Sequence, residues 1–409
     1  MEAIINDDSD ATDHKQSALQ GIKVLDLSRV LAGPSCTQVL ADLGAEVIKI
    51  ERPKIGDETR HWAPPTFSDG TSAYYATINR NKKSLTVDIT QSEGQAIIKK
   101  LAIDSDILVE NFKVGGLKKY GLDYDSLKAL NPRLIYASLT GFGQTGPDAH
   151  LPGYDYIIQG LSGLMSITGP SDGEPHKVGV AVVDLFAGLQ LTIGIQAALI
   201  ARHRTGLGQQ VDVALLDSAL AMLANVGMNQ LASGTVPPRL GNQHPNIVPY
   251  QVFAGESAQH FILACGNDSQ FAKLCKLLET DWHLDSRFTT NPARVSNRHW
   301  LCDQLSEKFA QQSREYWLKA LNQAGIPCGP INNISEALAM PQAQAREMIV
   351  DFGAQGSPVK ALGNPIKLSA SPVSYRSPPP TLSEHTDSTL ASLGYDIETI
   401  AKLKADGIV

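Results

Sequence analysis

From residue 21 onward the chain alternates brief apolar runs with helical stretches, and this alternation constrains the fold more than any other feature. The run IKVLDL (22–27) reads as a buried strand. A Gly-Pro turn at Gly33-Pro34 and a helical stretch to Leu43 follow, and EVIKIE (46–51) then reads as a second strand. Further on, 94–102 reads as a helix, 107–110 as a strand and LIYASL (134–139) as another. Short strands separated by helices can pair side by side only in parallel, because each connection must cross a face of the sheet. The expected fold class is therefore α/β, with a mainly parallel sheet covered on both faces.

Later segments vary the theme. VGVAVV (178–183) reads as a strand, and Asp184 then leads into a long apolar helix over 185–203. A turn at 204–208, a strand at 211–215 and a helix at 218–231 follow. Residues 233–249 are rich in Gly, Pro and Asn, as a linker or binding loop is. Strands at 250–253 and 260–264, with several helices, make a smaller unit, and a closing helix begins near Asp387. At 409 residues, two domains are the default. The expected division is a leader at 1–20, a large domain over 21–224, a small domain over 225–325, and a return to the large domain over 326–409.

Composition excludes several classes of function. The net charge is −7 and no block of like charge runs through the body, so neither nucleic acid nor an anionic membrane is an expected partner. Five scattered cysteines without a CxxC pair support neither a zinc site nor a disulfide framework, and fit a reducing, cytoplasmic setting. The polar, acidic first 20 residues lack the features of a secretion or transit signal and read as a disordered leader. No uninterrupted apolar run reaches the roughly 18 residues of a membrane-spanning helix.

Asp184 is the residue that most invites a chemical reading. It lies between VGVAVV and LFAGLQLTIGIQAAL, and a carboxylate in such surroundings is costly unless it is paired or used. Local pattern leaves two readings open: a cap on the long helix, or a working carboxylate at that helix's N-terminus.

The chain also resembles a known family. GIKVLDLSRVLAGPSCTQVLADLGAEVIKIERPKIGD (21–57), NRNKKSLTVDI (79–89), DILVENFKVGGLKKYGLDY (106–124) and NPRLIYASLTGFGQTGP (131–147) are similar to the class III CoA-transferases, the CaiB-BaiF family. The resemblance continues through GYDYIIQGLSGLMSITGP, VGVAVVDLFAGL, RTGLGQQVDVALLDSAL, GIPCGPINN and EHT, in the family's order. It implies a Rossmann-like large domain and an interlocked homodimer in which each chain threads through the other. It implies Asp184 as a nucleophile that forms aspartyl anhydride and aspartyl-CoA thioester intermediates. The CoA thioester would be a substrate, and neither a resident cofactor nor a metal is expected.

Position by position, the resemblance assigns Arg29, Val30, Ala32, Arg52, Val87, Asn111, Phe112 and Lys119 to CoA binding. Without it, Arg52 and Lys119 read as solvated charges and Phe112 as core. Acyl-CoA racemases of similar sequence carry a histidine, as second base, where this chain has Tyr154; tyrosine is a poor base at neutral pH. Asp155 matches an acidic residue of formyl-CoA:oxalate transferases that positions the nucleophile or the acyl group, so Asp155 and Tyr154 join Asp184 as candidate catalytic residues. The loop GNQHPN (241–246) lacks the glycine run of those enzymes and resembles a branch handling larger dicarboxylates. In it, His244 reads either as a substrate contact or as a loop-structuring residue. The expected reaction moves CoA from an acyl-CoA, such as succinyl-CoA, to a dicarboxylate such as glutarate. Racemisation of a 2-methylacyl-CoA, formyl-CoA:oxalate-type transfer and non-catalytic CoA binding are the alternatives.

Overall fold

The computed structural model describes residues 16–409. The first fifteen residues of the expected leader lie outside them. Order begins before Gly21: the Leu19 amide donates to the Leu43 carbonyl at 2.8 Å, and Ser17 lies against Gly44. The described chain divides into two compact units. One comprises residues up to Ile158 with Val180–Ala219 and Gln344–Val409, and the other Gln159–Gly179 with Leu220–Ala343. These bounds differ from the expected ones, because 159–179 joins the middle segment and the return comes at Gln344 rather than at 326.

The first unit is built on six parallel strands: β1 (Lys23–Asp26), β2 (Glu46–Glu51), β3 (Lys82–Thr86), β4 (Ile107–Glu110), β5 (Ile135–Thr140) and β6 (Gln210–Ala214). Their order is β3-β2-β1-β4-β5-β6, so the chain reverses direction across the sheet between β1 and β4. In such a Rossmann-type sheet the crevice at the strands' C-terminal ends is where ligands bind. Both faces of the sheet are covered, as expected of parallel strands. Val24, Leu25, Ile107, Leu108 and Ile135 are all within a few per cent of complete burial. Helix Ser92–Ile103 packs Ile97, Ile98 and Leu101 onto one face, in a core shared with Leu25, Leu108 and Tyr136.

Helices Ala32–Asp42 and Val182–Thr205 pack on each other. Their contact is close because Gly188 lacks a side chain; a Cβ there would meet Ser35 Oγ at 2.2 Å and the Ala32 carbonyl oxygen at 2.6 Å. By length and a mean hydropathy of 1.6, Val182–Thr205 is apolar enough to cross a membrane, contrary to the expectation from uninterrupted runs. Gln190, Thr192 and Gln196 break the run without breaking the helix. Here the helix lies against β5, β6 and helix Ala32–Asp42.

Two further expectations are corrected. VGVAVV forms no strand: 178–181 is irregular and Val182-Val183 already belong to the helix. Val180 is 58% exposed, and the run finds no ladder partner in a sheet whose edge beyond β5 is taken by β6. The helix expected over 218–231 is two helices, Leu215–Met222 and Ala224–Ser233, broken where Ala224 turns to φ 46°.

The last segment of the first unit returns to helix Ala32–Asp42 through a buried knot. Asp42 takes two bonds from Arg80 (2.9 and 2.6 Å), one from Asn81 and one from Asn364. The second unit has an antiparallel sheet of β7 (Tyr250–Ala254), β8 (His260–Ala264) and β9 (Cys328–Pro330). Its core is aromatic, with Phe253, Phe261 and Trp317 each about one ring-contact distance from Phe309.

Candidate active site

At the C-terminal ends of β1–β4 the first unit opens a cavity of about 770 Å³. It gathers five of the expected binding residues: Arg29, Arg52, Val87, Phe112 and Lys119. Lys54 and Lys113 add positive charge to its wall, which suits an anionic ligand such as a phosphate. Val87 supplies an apolar floor, being 2% exposed. Near the chain's end, Gly407 completes the wall, held there because the Asp88 amide donates to the Ile408 carbonyl at 2.7 Å.

Asn111 serves this cavity indirectly. Its Oδ1 accepts the Arg29 amide at 3.0 Å and its Nδ2 donates to the Arg29 carbonyl at 2.8 Å. That fixes the backbone from which the Arg29 guanidinium reaches over the Phe112 ring, 5.2 Å from its centroid, and pairs with Glu58 at 2.7 Å. Val30 and Ala32 are not among the described lining residues. Val30 stands at φ 70° behind Arg29, and Ala32 is buried at the start of its helix against the Gly188 position.

The second group of residues stands at the start of helix Val182–Thr205. Asp184 is not the cap: the N-cap is Ala181, which has no capping side chain. Asp155 performs that task from a distance. Its Oδ1 accepts the Val183 amide at 2.8 Å and the Asp184 amide at 3.2 Å. A carboxylate at a helix N-terminus satisfies orphan donors and complements the dipole, which explains why an acidic residue belongs there. The Asp184 carboxyl is thereby left for other work. Burial first, and the nearby Asp155 charge second, push it up to about 7. This is the signature of a carboxyl held in a dry site beside a like charge.

Tyr74, a residue that the sequence reading passed over, belongs to this group. It lies in the short helix Ala73–Ala76, and its ring meets Trp62 edge-on at 4.9 Å. Its phenol is raised by burial and then by the charges of Asp184 and Asp155. The sequence carried one faint signal, the aromatic pair Tyr74-Tyr75 placed between two polar turns. Tyr154 is 66% exposed in the described chain.

In the second unit, the loop carrying His244 is fixed. The His244 Nδ1 accepts the Asn246 amide at 3.0 Å, and Arg298 donates to the His244 and Pro245 carbonyls. Burial, and then the Arg298 charge, hold the imidazole below its usual pKa. These contacts favour the loop-structuring reading of His244.

Comparison with known proteins identifies the family. A family model described as CoA-transferase family III matches residues 19–386. The chain is 48% identical over 388 residues to a succinate–glutarate CoA-transferase of Agrobacterium fabrum, covering 93% of this chain and 96% of that one. It is 42% identical to the human succinyl-CoA:glutarate CoA-transferase, covering 96% and 90%. Among solved structures, a CaiB/BaiF family protein from Brucella suis superposes with a TM-score of 0.82 at 48% identity, covering 92% of this chain and all of that one.

Proposed function

Since this chain belongs to CoA-transferase family III and is a transferase of that class, we propose that it moves CoA from succinyl-CoA to glutarate or a similar dicarboxylate, with Asp184 as the nucleophile. Relatives named for succinate–glutarate and succinyl-CoA:glutarate transfer support this donor and acceptor. The observation that carries the mechanism is the Asp184 carboxyl, raised to about 7, at a helix start whose amides Asp155 already occupies.

The ionised Asp184 oxygen attacks the thioester carbonyl. The C–S bond breaks, CoA leaves as thiolate, and a mixed anhydride joins Asp184 to the acyl group. The thiolate then attacks the aspartyl carbonyl, expelling the donor acid as its carboxylate and leaving an aspartyl-CoA thioester. The acceptor carboxylate attacks that thioester and the two steps run in reverse, restoring Asp184. Protons and electrons balance across these steps without a resident cofactor or a metal. Splitting the exchange into covalent halves lowers each barrier. Desolvation makes the ionised carboxylate a stronger nucleophile than it would be in water.

Arg29, Arg52, Lys113 and Lys119 hold the phosphates of the CoA ester in the large cavity. Tyr154 in place of a histidine argues against racemisation. We further propose a cytoplasmic homodimer of the interlocked kind. Helix Val182–Thr205 leaves Leu189, Ile193 and Ile200 half or more exposed, and the second unit leaves Leu231 and Val236 more than three-quarters exposed; a second copy would cover such surfaces.

The deciding experiment treats the enzyme with succinyl-CoA in the absence of acceptor, then with hydroxylamine or borohydride. Label on the peptide containing Val183-Asp184-Leu185 is expected. Absence of label from every peptide would exclude the covalent route, and label on Asp155 or Asp217 instead would reassign the nucleophile. A panel of acids offered with succinyl-CoA and read by mass spectrometry identifies the acceptor.

A further inference from the structure

We infer that Lys49 and Asp57 are positioning residues for CoA transfer, holding the loop between β1 and helix Ala32–Asp42 in a strained shape that joins the ligand cavity to the helix pair bearing Asp184. The loop is residues 28–31, and five of its backbone groups are gripped by side chains, four of them by side chains from other segments. Asp26 accepts the Ser28 amide at 2.9 Å. Lys49 donates to the Ser28 carbonyl at 2.9 Å. Asn111 holds both the amide and the carbonyl of Arg29. Asp57 accepts the Val30 amide at 3.3 Å, and the same oxygen pairs with Lys49 at 2.8 Å.

What is held is unfavourable in itself. Val30 stands at φ 70°, a region in which a β-branched residue is a genuine outlier. Strain of that kind persists only where its surroundings over-determine it, and it gathers at functional sites. The grip is unusual too. The side chains of Lys49 and Asp57 are completely buried, and a second pair, Lys82 with Asp26 at 3.1 Å, is buried beside them. A buried ion pair is a poor device for stability, since apolar residues of the same volume often serve as well. It is a good device for fixing one geometry.

The loop's two ends explain why geometry matters. Arg29, at one end, lines the cavity. Ala32, at the other, lies where a Cβ on Gly188 would fall, one turn beyond Asp184. If Val30 relaxed to negative φ, the chain between these points would change direction, and the thioester would be offered to Asp184 from a shifted position. The phosphate contacts of Arg52, Lys113 and Lys119 lie outside the loop and would survive, so binding would change less than turnover. The inference concerns the same site as the transfer reaction and so rests on that reading, but not on the choice of acceptor.

The test is a double-mutant cycle of D57N and V30G, measured as kcat and KM with whichever acyl-CoA and acid the wild type turns over. An asparagine carries no charge for Lys49 and has one acceptor oxygen where Asp57 uses two, one for Lys49 and Val30 and the other for Thr59, so the strap slackens. Glycine holds positive φ without help. In the wild-type background D57N is expected to lower kcat at least about tenfold while KM for the acyl-CoA changes less than about threefold; in the V30G background the kcat loss should shrink to less than about threefold. An equal kcat loss in both backgrounds, or a rise in KM with kcat held, overturns the proposal. Should D57N fail to fold by circular dichroism, the same cycle with N111A, at a partly buried position, carries the test with the same two readings. Because the pair of substrates is taken from the wild type, a wrong acceptor assignment leaves this result intact.

Discussion

A carboxyl pushed up to about 7 keeps its proton through the mildly acidic range, so the nucleophile at Asp184 is armed only as the pH rises past neutrality. The acidic limb of kcat/KM should therefore fall near pH 7, rather than near the usual value of about 4 for an aspartate. D155N keeps an acceptor for the helix amides but removes the like charge, and is expected to move that limb to lower pH; an unmoved limb would mean that burial alone sets it. The same shift carries a stability consequence. The folded-state pKa lies above the unfolded value, so stability is fullest at acidic pH and is lost as the pH rises through about 7. D184N abolishes transfer but should stabilise the fold at pH 8, on the order of 2 kcal/mol given the group's partial exposure, and leave it unchanged near pH 3.5. Thermal melts at the two pH values read this directly. R52A, by contrast, removes a remote phosphate contact and should raise KM for the CoA ester with little change in kcat.

Among the elements, the contact between helices Ala32–Asp42 and Val182–Thr205 depends on one missing methyl. G188A must displace Ser35 Oγ and the Ala32 carbonyl, and is expected to cost about 1–3 kcal/mol in denaturant titration while lowering kcat. The sequence exposed most of the sheet, since five of its six strands are apolar runs of the right length. It hid β3, because KKSLT reads as surface; Lys82 is in fact buried on Asp26, a pairing that no local pattern announces. It offered VGVAVV as a strand, because β propensity says nothing about whether a partner edge is free. Within the site, motif order led to Asp184 and to the cavity residues. The capping role of Asp155 escaped, since its partners are 28 and 29 positions away, and so did Tyr74, whose relevance is purely spatial.

For the molecule as a whole, the exposed apolar faces make assembly the main expectation. Sedimentation should give twice the 43.9 kDa chain mass, and monomer at micromolar concentration would refute the homodimer. The order of the chain also matters in time. The strands that frame the cavity are complete by residue 110, but its wall waits for Gly407, which the Asp88–Ile408 bond holds in place. A nascent chain on the ribosome thus carries a nucleophile and an unfinished pocket for most of its synthesis. Because Gly407 forms one wall of that pocket, the pocket takes its full shape only once residue 407 has been made.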